Sequence, residues 1–150
     1  MDCLFCNIVS GKEPSHKVWE GGGHIAVLTP FPNTEGMTVV ILKKHLPSNI
    51  LQLEYNEVDG IMLASKIVAR LLRKKLKVER VGLVCEGYGI DHAHVKLIPM
   101  HGIPAGEWKA INSSPKDQKF YETYPGFIAS HDGPRMSEEK LTELQQKILS

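Results

Sequence analysis

Cysteine is scarce in this sequence, with three residues in 150. Three cannot staple a disulfide scaffold, and an odd count leaves at least one thiol unpaired. Charge of one sign is missing too. Lys plus Arg is 18 and Asp plus Glu is 17, a formal net charge of +1. No global field is available to hold a polyanion, so no nucleic-acid partner is expected. No apolar run approaches the roughly 20 residues that span a bilayer, which excludes a membrane-crossing helix. The start, Met1-Asp2-Cys3-Leu4-Phe5-Cys6, lacks the basic-then-apolar pattern of a secretory leader. The expectation is a reducing, cytoplasmic setting, in which the sequon Asn112-Ser113-Ser114 reads as a loop. Repeats and low-complexity tracts are absent. What is present is an ordinary globular composition, 42% apolar and 23% charged, at the size of one domain.

Periodicity divides the chain. Val18–Glu20, His24–Leu28, Met37–Leu42, Val81–Cys85 and His92–Ile98 have strand character, with Gly21-Gly22-Gly23 and Glu86-Gly87-Tyr88-Gly89 as turns. From about Asn56 to Leu76 the period lengthens. Val58, Ile61, Ala64, Ile67, Val68 and Leu71 follow helical spacing, which predicts one long helix. Its basic end, Arg70 to Lys77, reads either as a solvated helix end or as a phosphate-binding patch. Residues 99–135 carry Trp108, Tyr121, Tyr124 and Phe127, and aromatics usually seek burial. Ser137 is placed to cap a final helix with a Leu141, Leu144, Ile148 stripe.

The chemistry concentrates in His92–Ile98. Side chains alternate along a strand, so His92, His94, Lys96 and Ile98 share one face while Ala93, Val95 and Leu97 share the other. Two imidazoles and an ammonium on one face suit a phosphate. A neutral imidazole can also attack phosphorus, and Lys96 nearby would lower the pKa of His94 and offset charge on phosphoryl oxygens. The alternative is a pair of histidines on a half-exposed strand without a catalytic role. Separately, Cys3-x-x-Cys6 is half of a zinc site, or else two small buried residues. Cys85 reads as core. His16, His24, His101 and His131 read as surface or loop residues.

Asp91-His92-Ala93-His94-Val95-Lys96-Leu97-Ile98-Pro99 resembles the signature of the histidine triad (HIT) superfamily, with lysine at the third histidine position. Three upstream segments resemble the family's blocks in order: Cys3 to Pro14, Ala26-Val27-Leu28-Thr29, and Gly36 to His45. The resemblance covers about residues 3–99. It implies an α+β fold, an antiparallel sheet with the long helix packed on it. The HIT-like core would occupy residues 1–99, and 100–150 would be a C-terminal extension of the same domain ending in a helix. It implies a nucleotide hydrolase that cleaves a phosphoanhydride or phosphoramidate, such as a dinucleoside polyphosphate or adenylated amine, through a nucleotidyl-histidine. A nucleotidyltransferase using the same intermediate, or a non-catalytic nucleotide-binding module, stays open beside it. Carried over, His94 is the nucleophile, His92 orients it and Lys96 stands at the third position. Phe5, Ile8, Leu28 and Val39 fall at base-pocket positions, Thr29 at the ribose position, and Gly87 and Gly89 in the phosphate loop. The same residues also read as core and tight turn. The resemblance completes Cys3 and Cys6 with His45 and His92 as a structural zinc site. No redox cofactor is implied. The implied partners are an adenine-containing nucleotide and a second copy as a homodimer.

Overall fold

In a computed structural model the chain is described over residues 3–106, 108–112, 114–130 and 133–149; His131 and Ser113 lie outside the described residues. It forms two compact units, Met1–Gly106 and Glu107–Ser150.

The first unit opens on a short helix, α1 (Leu4–Ser10), which ends at Gly11 in the left-handed conformation that glycine favours. Strands β1 (His16–Gly21), β2 (His24–Leu28) and β3 (Thr38–Leu42) follow. The long helix α2 (Tyr55–Leu76), β4 (Arg80–Val84) and β5 (His94–Met100) complete the unit. The five strands form one antiparallel sheet in the order β1-β2-β3-β5-β4. This is the α+β architecture expected from the sequence.

Both faces of the middle strands are covered, because β2 and β3 are apolar at nearly every position. On one face Ala26, Val40, Leu42, Val95 and Leu97 pack under α2, against Ile61, Ala64, Val68 and Leu72. On the other, Ile25, Val27, Val39 and Ile41 pack with Cys3 and Phe5. Two sealed faces explain a departure from the sequence reading. His24 is no surface residue: it is buried on the α2 face, beside Gly60, and its Nδ1 donates to the Gly22 carbonyl. Cys85 packs at the margin of the α2 face, as core.

The second unit contains a single helical turn at Pro115–Asp117 and the helix α3 (Glu138–Leu149). The Ser137 hydroxyl accepts from the Lys140 amide, the expected capping contact. The tyrosine and phenylalanine rings of residues 121 and 127 meet edge to face, with centroids 6.0 Å apart. Burial of the aromatics does not follow. Trp108, Phe120, Tyr124 and Phe127 are exposed, and none of α3 is buried. Among the described residues, one helix and one helical turn give too little secondary structure to enclose a core. No helix among the described residues is long and apolar enough to cross a membrane.

Candidate active site and metal centre

β5 begins at His94, two residues later than the sequence pattern suggested. His92 and Ala93 lie in the connection before it, held by Ala93 N–H donating to Leu46 O and Leu42 N–H donating to Ala93 O. Alternation still fixes the strand. His94 pairs with Ile41 and Lys96 with Val39, so both project from the face opposite α2. The Phe5 ring, delivered by α1, stands edge-on to His92 at 5.8 Å and to His94 at 5.0 Å.

His94 is held by its backbone neighbourhood. Its Nδ1 lies 2.7 Å from the His92 carbonyl oxygen. A carbonyl only accepts, so Nδ1 carries the proton and Nε2 carries the lone pair. Burial lowers the His94 pKa below the ordinary histidine value. The His92 carbonyl contact opposes that shift, as does Glu86, while Lys96 adds to it. Desolvation therefore leads, and the influence expected of Lys96 is secondary. The reason is that Lys96 is already committed: its Nζ is 2.7 Å from Glu86 Oε2, a carboxylate whose side chain is only 9% exposed. The result is a neutral ring with its nucleophilic nitrogen opposite the anchored one.

The four other ligand-bearing residues converge. Cys3 Sγ and His92 Nδ1 are 3.4 Å apart, Cys6 Sγ and His92 Nδ1 3.5 Å, Cys6 Sγ and His45 Nδ1 3.3 Å, and the two Nδ1 atoms 3.2 Å. All four atoms lie within 4.8 Å of one another. Tetrahedral zinc with Zn–N of about 2.0–2.1 Å and Zn–S of about 2.3 Å needs edges of about 3.4–3.8 Å. The donor set fits that size and type. The tautomer fits as well: His92 Nε2 is 2.6 Å from the Leu42 carbonyl oxygen and so holds the proton, which turns a lone pair on Nδ1 toward the cluster. Burial lowers the His92 pKa and keeps the ring neutral. Burial, then the neighbouring Cys3 sulfur, push the Cys6 thiol up. Crowding thiols around a bare lone pair has a cost that a cation removes.

The remaining expected residues divide by face. Phe5 and Val39 are buried in the His94-face cluster, with Ile8 packed against it. Leu28 is not brought there. It pairs with Thr38 and stands two residues from Ala26, so it shares the α2 face. Val27, its neighbour, occupies the His94 face and is the β2 residue the sequence reading missed. The signal was available in the strand's parity, but its phase needed the β2–β3 register. Thr29 closes the start of a loop, its hydroxyl accepting from the Phe31 amide. Gly87 and Gly89 both have positive φ, +68° and +85°. The loop is pinned to residues 48–49: Ser48 Oγ donates to Gly87 O, and Ser48 N–H donates to Asp91 Oδ1. Hydrogen bonds to Asp91 from the Ser48 N–H and then the Ser48 hydroxyl hold its carboxyl below its ordinary value. Glu86 was also missed, because no motif marks it.

A strand with a buried, neutral histidine thus stands beside a cluster of two cysteines and two histidines on an α+β sheet, and known proteins are similar to this chain. A HIT-like protein of Mycoplasma genitalium is 30% identical over 119 residues, covering 76% of this chain and 84% of that protein. The chain belongs to the histidine triad family. An adenosine 5′-monophosphoramidase of Schizosaccharomyces pombe is 27% identical over 124 residues, 79% of this chain and 92% of that one. The crystal structure of a zinc-bound histidine triad family protein from Mycobacterium smegmatis superposes with a TM-score of 0.62 at 26% identity, covering 68% of this chain and 77% of that one. No protein-family model matches the chain.

Proposed function

We propose that this protein is a HIT-type nucleotide hydrolase in which His94 is the nucleophile. The observation that carries the reading is the locked tautomer: Nδ1 of a buried, neutral His94 donates to the His92 carbonyl, leaving Nε2 basic. Nε2 attacks the α-phosphorus of a phosphoramidate or phosphoanhydride, and the bond to the leaving amine or phosphate breaks. A leaving amine takes a proton from water. A second water then attacks phosphorus, releases the nucleoside monophosphate and returns the electron pair to Nε2. The His92 carbonyl stabilises the positive charge that builds on the ring. Phe5, Ile8, Val27 and Val39 offer apolar surface for an adenine base, the Thr29 hydroxyl faces the ribose, and the Gly87–Gly89 turn lies against phosphate. A phosphoramidate substrate is supported by the similarity to the monophosphoramidase.

Cys3, Cys6, His45 and His92 hold zinc. The metal supplies a structural cross-link, which ties α1 to the strand connection that carries His92. The homodimeric and cytoplasmic state expected from the sequence belongs to the same proposal.

The Lys96–Glu86 ion pair favours a second reading. A lysine committed to a carboxylate has less to give a phosphoryl oxygen, which suits slow turnover, a different acceptor, or nucleotide binding alone. One experiment separates the readings. The protein is incubated with adenosine 5′-phosphoramidate, the nucleotidylated chain is trapped and mapped by mass spectrometry, and release of AMP is followed. The hydrolase reading expects the label on His94 and a His94→Ala chain slower by about a thousandfold or more. Equal turnover by wild type and His94→Ala would sink it. Nucleotide binding without a label supports the binding module.

A further inference from the structure

The C-terminal end of α2 and the turn after it crowd Arg70, Arg73, Lys74, Lys75 and Lys77 into eight residues with no acid among them. The whole chain is formally +1, so this charge is a local concentration. Basic residues at a helix C-terminus offset the negative end of the dipole. That accounts for a cation or two on an exposed end. Two further features do not follow from it.

The first is shape. Arg70, Arg73, Lys74 and Lys77 line a cleft of about 500 Å3, together with Val78 and Glu79. The volume is that of a small-ligand site. The cleft is shallow and open, and four of its six lining residues are cationic. The second is the backbone. Lys77 caps α2 with φ +53°, and among the described residues it is the one non-glycine with positive φ. Glycine or asparagine takes that position at lower conformational cost. Here the cost accompanies an ammonium set on the wall of the cleft.

We propose that this cleft is a second anion site, which binds a short phosphate chain, free or as the tail of a nucleotide. The guanidinium groups of Arg70 and Arg73 offer paired donors to phosphate oxygens, and Lys74 and Lys77 add point charges. Glu79 sits 3.5 Å from Arg73 and sets the selectivity. A single orthophosphate must compete with that carboxylate, while a chain spreads its charge over several cations at once. The site is separate from His94. α2 packs on the opposite face of the sheet, so a ligand here does not reach the catalytic ring.

The test is calorimetric titration of the full chain with inorganic tripolyphosphate at low and raised salt, with orthophosphate and a DNA duplex as competitors. Saturable one-to-one binding that weakens with salt is expected. Arg73→Glu combined with Lys74→Glu should lower affinity at least about a hundredfold, with circular dichroism unchanged, since both are exposed. Glu79→Gln should raise it several-fold. Lys77→Gly separates ligand from scaffold, because it should raise Tm while weakening tripolyphosphate. Adenosine triphosphate is titrated against the wild type and the Arg73→Glu/Lys74→Glu chain, since only binding that the double variant loses belongs to this cleft rather than to the His94 site. The proposal is overturned by an absence of tripolyphosphate binding, by affinity unchanged in the Arg73→Glu/Lys74→Glu chain, by a Lys77→Gly chain of full affinity, by equal affinity for orthophosphate, or by a duplex that displaces tripolyphosphate at lower phosphate concentration.

Discussion

His94 and Lys96 stand two residues apart on one strand face, yet different groups decide what each can do. His94 is governed by burial and by the carbonyl of His92. Lys96 is governed by Glu86, ten positions back across the β4–β5 connection. Withdrawing that cation from a carboxylate this buried is costly. Lys96→Met should destabilise the fold by about 1–3 kcal/mol, and Glu86→Gln in the same chain should recover most of the loss. Urea denaturation of the two variants checks this. If Lys96→Met is neutral, the ion pair contributes nothing in solution. The alternation of His94 and Lys96 was legible from the pattern alone. The partner of Lys96 was not, because a contact across a strand connection leaves no periodic trace.

Elements meet at a few tight places. Gly36 enters β3 with φ +80°, and a Cβ there would fall 2.3 Å from Leu76 Cδ1, at the end of α2. Gly36→Ala therefore combines a strained backbone with displacement of a packed leucine. We expect a loss of about 1–3 kcal/mol, read as a lower urea midpoint with unchanged slope. At the β1 edge, Glu20 bonds Lys17 and Lys43. Those contacts lower its pKa from 4.5 to about 2. A depressed carboxylate gives stability that is fully present above pH 4.5 and is lost as pH falls through about 2. The stability difference between wild type and Glu20→Gln should shrink over that window. A difference constant with pH would mean that the charge is not what matters. The two β2 misplacements belong to this scale. Leu28 and His24 both lie on the α2 face of the sheet, and a strand apolar on both faces hides its phase until its neighbours are known.

The first unit gains its coherence from joining distant segments. Its N-terminus, the segment after β3 and the strand connection before β5 meet at Cys3, Cys6, His45 and His92. A zinc ion held there would act on the whole unit. Protein purified without chelator should hold about one zinc per chain by metal analysis, and metal removal should lower Tm by several degrees or more. Cys6→Ser should lose the zinc and show the lower Tm without chelator. Full stability with no metal would leave the cluster a packed thiol–imidazole core.

The sequence by itself determined the order and type of the main elements and the strand face of His94 and Lys96, because these depend on local period; spacing marked Cys3 and Cys6, while His45 and His92 came from the family resemblance. Tertiary structure alone decided the protonated nitrogen of His94, the commitment of Lys96 to Glu86, the choice of Val27 over Leu28, and the basic cleft at the end of α2. Each of these rests on a carbonyl, a carboxylate, a strand register or a concavity supplied by the folded chain, and no local pattern encodes such neighbours.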